Sequence, residues 1–283
     1  MPDVFITKQT GITLVKPLLL CIMNSNPIGF FDSGVGGTSV WKEVIELLPH
    51  ENTIYLADSK HAPYGRKSKE DIVRLCIKNT EYLLRQNCKL IAVPCNTATT
   101  NAISYLRTHY EVPFIGIEPA IKPAALKSDT KKVGILATRG TLSSKLFNDT
   151  QKEFTQYVNT IEIVGTGIVE LVEAGKKDTE EMRDLLVGIT EPFMISGIDY
   201  LVLGCSHYPY IKEMLQELLP TRVHIIDSGA AAARQTLNIL KSQNLLNLTS
   251  KAGKHLLYSN LQIETLDSLT SEIGNREVSL LDF

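Results

Sequence analysis

Eight short apolar runs, bounded by Gly, Pro or Asp, fall into two sets of four that follow one another along the chain. The first set is IGFFD from Ile28, IYLAD from Ile54, LIAVP from Leu90 and PFIGIEP from Pro113; the second is VGILAT from Val133, IEIVGT from Ile161, LVLGC from Leu201 and VHIID from Val223. Each member of the second set begins about 110 residues after its counterpart, the mark of an internal duplication. Runs that are apolar throughout, instead of alternating, belong to strands buried on both faces, and those are the strands of parallel sheets covered by helices. The intervening segments carry the helical period. Val40, Trp41, Val44, Ile45 and Leu48 form one apolar stripe, and Ile72, Leu75, Cys76 and Leu83 form another. The expected fold class is therefore α/β, with two pseudo-symmetric lobes, each a mostly parallel sheet flanked by helices, and an active site in the cleft between them. The chain divides on this reading into an N-terminal extension (1–26), a first lobe (27–118), a second lobe (119–227) and a tail (228–283) that packs back on the first lobe. A helix is expected in the tail at AAARQTLNILKSQ, whereas the acidic, weakly periodic chain end is assigned no element.

At 283 residues and 43% hydrophobic content there is enough apolar material for two ordinary cores. A formal net charge of −2 leaves no surplus of Lys and Arg to neutralise a phosphate backbone, which argues against nucleic acid as the main partner. The five cysteines are odd in number and contain no C-x-x-C pair, which disfavours a disulfide framework or a zinc knuckle and favours a reducing compartment, the cytoplasm. TLVKPLLLCIM, near the N-terminus, has an apolar run after a lysine but no A-x-A-like site beyond it, and it is not read as an export signal. The run is too short to span a bilayer, so no membrane partner is expected.

In open α/β sheets, ligands collect at the carboxyl ends of strands, where loops emerge and helix N-termini present their N–H groups. The polar signatures of this chain sit at such ends. Asp32 and Ser33 follow the first run, Asp58 and Ser59 the second, and Cys95, Asn96 and Thr97 the third; Thr138 follows the fifth, and Cys205, Ser206 and His207 follow the seventh. KLIAVPCNTATT and DYLVLGCSHYPY thus end matching strands on a thiol. Lobes facing across a pseudo-twofold axis would bring Cys95 and Cys205 to one cleft from opposite sides. Opposed thiols suit inversion of a stereocentre, in which one group removes a proton from one face of a carbon while the other supplies a proton to the opposite face. A helix N-terminus beside Cys95 is expected to draw its thiol toward the thiolate. Asp32 and His207 are candidates to orient or deprotonate the thiols, and Asn96 and Thr97 to cap a helix or hold a carboxylate. Cys21, Cys76 and Cys88 lack the repeated setting and are assigned to packing. DSGVGGTS is not a dinucleotide fingerprint, since Ser39 stands where the third glycine is needed. Cys205 and His207 have no further ligand at metal spacing, so no metal and no cofactor is assigned.

GFFDSGVGGTSV, ADSKHAPYG, VPCNTAT, GIEPA and LVLGCSHYP, in that order over residues 27–240, resemble the glutamate racemases, relatives of the aspartate and hydantoin racemases. The resemblance implies a cofactor-independent, two-base interconversion of L- and D-glutamate in the bacterial cytoplasm, supplying D-glutamate to peptidoglycan synthesis. By motif, Cys95 would act on the D-glutamate side with Asp32 assisting, and Cys205 on the L-glutamate side with His207 assisting. Asp32, Ser33, Tyr64, Gly65, Asn96, Thr97, Ser206 and His207 match positions lining the substrate site. Glu173 matches a polar position near the second thiol, and Thr138 a carboxylate contact. Two departures from the family pattern are Ser206 in place of Thr and Tyr210 in place of an aliphatic residue, neither expected to touch the proton transfer. Two other functions stay open: an aspartate or other amino-acid racemase, and a non-catalytic protein that closes on an amino acid. A homodimer is left open, as is regulation by a peptidoglycan precursor.

Overall fold

The computed structural model describes residues 24–154 and 157–283. Residues 1–23, which hold Cys21 and most of the expected N-terminal extension, lie outside the described residues. The chain opens with β1 (Ile28–Asp32), α1 (Thr38–Leu47), β2 (Thr53–Ala57), α2 (Lys69–Arg85), β3 (Leu90–Val93), α3 (Asn96–His109), β4 (Phe114–Gly116) and α4 (Ile121–Lys127). It continues with β5 (Lys132–Ala137), α5 (Arg139–Leu142), α6 (Lys145–Phe154), β6 (Asn159–Val164), α7 (Ile168–Glu173), α8 (Glu180–Ser196), β7 (Tyr200–Gly204), α9 (Lys212–Leu218) and β8 (His224–Ile226). The tail adds α10 (Gly229–Ser242), β9 (His255–Ser259), α11 (Glu264–Leu269) and β10 (Arg276–Leu280). All eight apolar runs are strands.

Two parallel sheets result, one with strand order β10-β9-β2-β1-β3-β4 and one with order β6-β5-β7-β8. The repeat in sequence is a repeat in topology: β2-β1-β3-β4 and β6-β5-β7-β8 are the same arrangement used twice. In each, the chain goes to one side of its first strand and then crosses to the other, which creates a switch point between β1 and β3 and again between β5 and β7. Loops diverge there and leave a crevice at the carboxyl edge. Register keeps those edges level, with Asp32 beside Ala57 and Ala137 beside Gly204.

Strand alternation divides the core. Phe30 faces one apolar cluster with Trp41, Val44 and Tyr55, while Phe31 faces another with Ile72, Leu75, Cys76 and Leu83. In the second sheet Leu136 joins the first cluster, and Ile135 packs instead with Ile121, Ala124 and Phe147. Cys76 and Cys88 are buried among these side chains, as expected for packing residues. Helix starts follow local chemistry: Ser68 Oγ accepts the Asp71 N–H at 3.1 Å ahead of α2, and Thr179 Oγ accepts the Met182 N–H at 3.4 Å ahead of α8. In the tail, α10 lies on α1, and its buried Ala232 and Ala233 let the two helices approach closely. β9 then pairs with β2, and β10 with β9, at the edge of the first sheet. No described helix is long and apolar enough to cross a membrane.

Asp199, between α8 and β7, ties the second sheet to the turn before β5. Its carboxylate accepts from Ser128 Oγ at 2.6 Å, the Asp129 N–H at 2.7 Å and the Thr130 N–H at 3.0 Å. Burial alone would raise its pKa, but the hydrogen bonds from Ser128, Thr130 and Asp129 outweigh it and hold the group at about 2, against an ordinary 3.8. A depressed carboxyl stabilises the fold above its unfolded pKa, and that stabilisation is lost as the pH falls through the folded one. Asp199→Asn is therefore expected to lower the unfolding free energy by about 1–2 kcal/mol at pH 7. The deficit should shrink as the pH drops from about 4 toward 2, a trend that urea titrations at stepped pH would measure.

Candidate active site

The loop after β1 is folded around its own carboxylate. Asp32 Oδ1 accepts the Ser33 N–H at 2.6 Å, and Oδ2 accepts the Gly37 N–H at 2.5 Å, where α1 begins. Its glycines serve close approach within the protein, not a phosphate. A Cβ at Gly34 would overlap the Glu173 carboxylate, and a Cβ at Gly36 would overlap the His207 ring. Both intruding side chains belong to segments around the second sheet, so the glycines are what allow the two halves to meet here.

Cys95 caps α3, with its Sγ accepting the Ala98 N–H at 3.5 Å, and its thiol bonds to the Asp32 carboxylate. The helix N-terminus was expected to lower the thiol pKa. That interaction is present, but burial, followed by the charge on Asp32, overcomes it and pushes Cys95 well above its ordinary range. Asp32 is also raised. Burial dominates, opposed by His207, by the Cys95 bond and by the Gly37 N–H, while Glu173 adds to the rise. The pair is thus a protonated thiol beside a carboxylate made more basic than usual, a pairing able to pass a proton between sulfur and oxygen.

Cys205 has a different partner. His207 Nδ1 lies 3.7 Å from its Sγ, and His207 Nε2 donates to Glu173 Oε1 at 2.5 Å. Glu173 is fixed in turn by the Val35 N–H at 2.7 Å and by Ser59 Oγ at 2.9 Å, both from the first sheet's loops. Burial works against a charged imidazole, yet the bonds to Cys205 and Glu173 outweigh it, and the pKa of His207 is raised well above the usual value. The sequence pointed to Glu173 only by position; the structure makes it the group that orients His207.

Ser206 was expected to stand apart from the acid–base groups. Its Oγ instead donates to Asp32 Oδ2 at 3.1 Å, a bond from the second half onto the partner of Cys95. Tyr210 also crosses, with its hydroxyl 2.5 Å from Thr38 Oγ1. Both contacts join segments far apart in sequence, which no local pattern encodes.

Both cysteines line one narrow, nearly closed pocket with ≈ 10 Å³ of free space, lined also by Ser33, Tyr64, Gly65, Asn96, Thr97, Thr138, Ser206 and His207. Asp32 and Glu173 do not line it; they stand behind the thiol and the imidazole. Pro63 and Val169 complete the wall and were not signalled by the sequence, since an ordinary proline and a buried valine carry no chemical mark. Thr97 and Thr138, one from each half, are 2.8 Å apart at their hydroxyls. Asn96 Nδ2 is buried and has no partner, an open donor on this pocket. Beyond Pro63, Gly65, Thr138 and Val169 the pocket widens into an outer groove of ≈ 440 Å³ that carries Arg66, Lys67, Arg139 and Glu170; Arg66 is paired with Glu170, and Lys67 and Arg139 leave the approach net cationic. Among the described residues no group of three or more His, Cys, Asp or Glu is arranged to hold a metal.

Two parallel sheets of the same strand order, each ending its third strand on a thiol that lines one shared pocket, define a duplicated α/β protein with a two-thiol site. The chain belongs to the Asp/Glu/hydantoin racemase family, whose model matches residues 28–236, and it is thus an enzyme of the isomerase class. The glutamate racemase of Ectopseudomonas mendocina is 47% identical over 221 residues, 78% of this chain and 84% of that protein. The crystal structure of Escherichia coli glutamate racemase in complex with L-glutamate and the activator UDP-MurNAc-ala is similar at 32% identity and a TM-score of 0.81, covering 90% of this chain and 98% of that one. The glutamate racemase isoform RacE1 from Bacillus anthracis aligns with a TM-score of 0.82 at 27% identity, over 92% of this chain and 98% of that one.

If the Asp32 charge holds the proton on Cys95, removing it must release that proton more easily. In Asp32→Asn, the pH midpoint for iodoacetamide labelling of Cys95, followed by mass spectrometry of the free protein, is expected to move to lower pH. An unchanged midpoint would mean that the carboxylate and the thiol are not coupled.

Proposed function

We propose that this protein interconverts L- and D-glutamate by a two-base proton transfer at Cα, with Cys95 and Cys205 as the bases. The observation that carries the reading is that both thiols line a single pocket, each with a separate proton carrier behind it. From D-glutamate, Asp32 takes the Cys95 proton, and the resulting thiolate removes the Cα proton. The Cys205 S–H bond then breaks toward the opposite face of the carbon, delivering its proton, and His207 reprotonates that sulfur. From L-glutamate the roles reverse, with the Cys205 thiolate paired to the His207 imidazolium. One proton leaves the carbon and one arrives, so the net charge of the site is conserved.

The carbanion is the costly species, and its charge spreads into the substrate α-carboxylate. Asn96 Nδ2, Thr97 and the N-terminus of α3 are suited to receive it, since they are donors arranged before charge develops. The cationic outer groove fits a dicarboxylate, and the L-glutamate bound in the similar Escherichia coli enzyme supports that substrate. The narrowness of the pocket supports a division into a lobe of residues 27–118 plus 228–283 and a lobe of residues 119–227, which part to admit substrate. On this reading the D-glutamate product serves peptidoglycan synthesis in the cytoplasm, where free cysteines such as Cys76, Cys88, Cys95 and Cys205 are at home.

Replacing either Cys95 or Cys205 by Ala is expected to lower kcat/KM for glutamate racemisation at least about a hundredfold, followed by circular dichroism from either enantiomer. A variant that still equilibrates the enantiomers at the wild-type rate would remove that cysteine from the mechanism. Activity on aspartate or another amino acid and none on glutamate would reassign the substrate, and binding with no racemisation would make the protein a receptor.

A further inference from the structure

The family match ends at residue 236, yet the chain beyond it reaches both walls of the pocket. Asn260 follows β9. Its side-chain oxygen accepts the Lys60 N–H at 2.9 Å, its Nδ2 donates to Asp58 Oδ1 at 2.5 Å, and its own N–H donates to the Ala57 carbonyl at 3.3 Å. Asn260 thereby fixes the turn from Asp58 to Lys60. Asp58, wholly buried, accepts the Tyr64 hydroxyl on its other oxygen at 2.5 Å, and Tyr64 lines the pocket. Five positions further on, Thr265 Oγ donates to the Glu173 carbonyl at 2.9 Å. That carbonyl closes α7, where helix carbonyls lack intrahelical partners. The Glu173 carboxylate holds His207, so both ends of this residue are pinned, one by the tail and one by the site. The two arms join where Ser59, next to Asp58, donates to Glu173.

We propose that residues 260–265 form a clasp in which Asn260 positions the Tyr64 wall and Thr265 positions the Glu173–His207 arm. The tail thus sets the geometry of a site that it does not line. Asn260 and Thr265 are positioning residues, acting through Asp58 and Glu173. Because β9 is hydrogen-bonded into the first sheet while Thr265 reaches α7 of the second, the clasp also fixes the separation of the two thiols' proton carriers. Sub-ångström displacement of such groups is enough to cost large factors in rate.

The kinetic arm of the test rests on the glutamate reading, and a second arm does not. In the full chain without substrate, the His207 imidazole, which faces Cys205, Glu173 and Asp32, is titrated by NMR. Thr265→Val should move its midpoint to lower pH by loosening Glu173, and Thr265→Ser should restore it. With glutamate, Thr265→Val should lower kcat about tenfold while leaving KM within about twofold, and Thr265→Ser should again restore it. Asn260→Ala should act on the other wall, raising KM about fivefold with kcat within about twofold. A wild-type His207 midpoint and wild-type kcat in Thr265→Val would overturn the clasp, as would a defect that Thr265→Ser does not repair. If the wild-type chain leaves glutamate unchanged, the functional reading fails, while the His207 titrations of the two Thr265 variants still decide the clasp.

Discussion

A carboxylate with no solvent exposure must find its hydrogen-bond partners inside the protein, and Asp32 finds them on three different segments. The Ser33 and Gly37 N–H groups come from its own loop, the Cys95 thiol from the end of the neighbouring strand, and the Ser206 hydroxyl from the other sheet. Leaving such a group unpaired would cost several kcal/mol, on the order of a buried charge that has lost its partner. Satisfying it therefore draws β1, β3 and the loop after β7 to one point. The same interaction that stabilises the closed arrangement places a proton acceptor against a thiol.

The duplication gives the site its symmetry, and the side chains give it its direction. Cys95 and Cys205 occupy equivalent positions after β3 and β7. The position at the end of β5 equivalent to Asp32 is Ala137, with Thr138 in the place of Ser33, so the second thiol has no matching carboxylate. Its neighbour is instead His207, held by Glu173 at the end of α7. One thiol thus lies beside a carboxylate whose charge holds its proton, and the other beside an imidazole whose pKa is raised by Cys205 and Glu173. The two thiols therefore share one pocket but have chemically different neighbours.

Most of the eight strands were legible because strands buried on both faces must be apolar throughout, and the edge strand β6, which has no buried residue, was legible through its place in the repeat. Cys95 and Cys205 were legible because the same strand end occurs twice. β9 and β10 were not. HLLYS alternates buried and half-buried positions, and REVSL is an edge strand carrying charge, which blunts sheet-to-sheet association and hides the strand signal. The bond from Ser206 to Asp32, the seat of Glu173 behind His207 and the contacts of Asn260 and Thr265 escaped for another reason. Each joins residues far apart in the chain, and sequence spacing records only neighbours along a helix or strand. The expected thiolate at Cys95 erred because capping geometry is local and readable, whereas burial depends on everything that packs around the sulfur.

The central claim is that each face of Cα is served by its own sulfur. It is tested most directly by letting the wild-type enzyme act briefly on protiated L-glutamate in D₂O, then separating the enantiomers and locating the isotope at Cα. Two bases predict that newly formed D-glutamate carries deuterium while the L-glutamate recovered at early times still carries protium. Deuterium appearing equally in both enantiomers, or D-glutamate that keeps the original proton, would show a single group working both faces and would contradict the account.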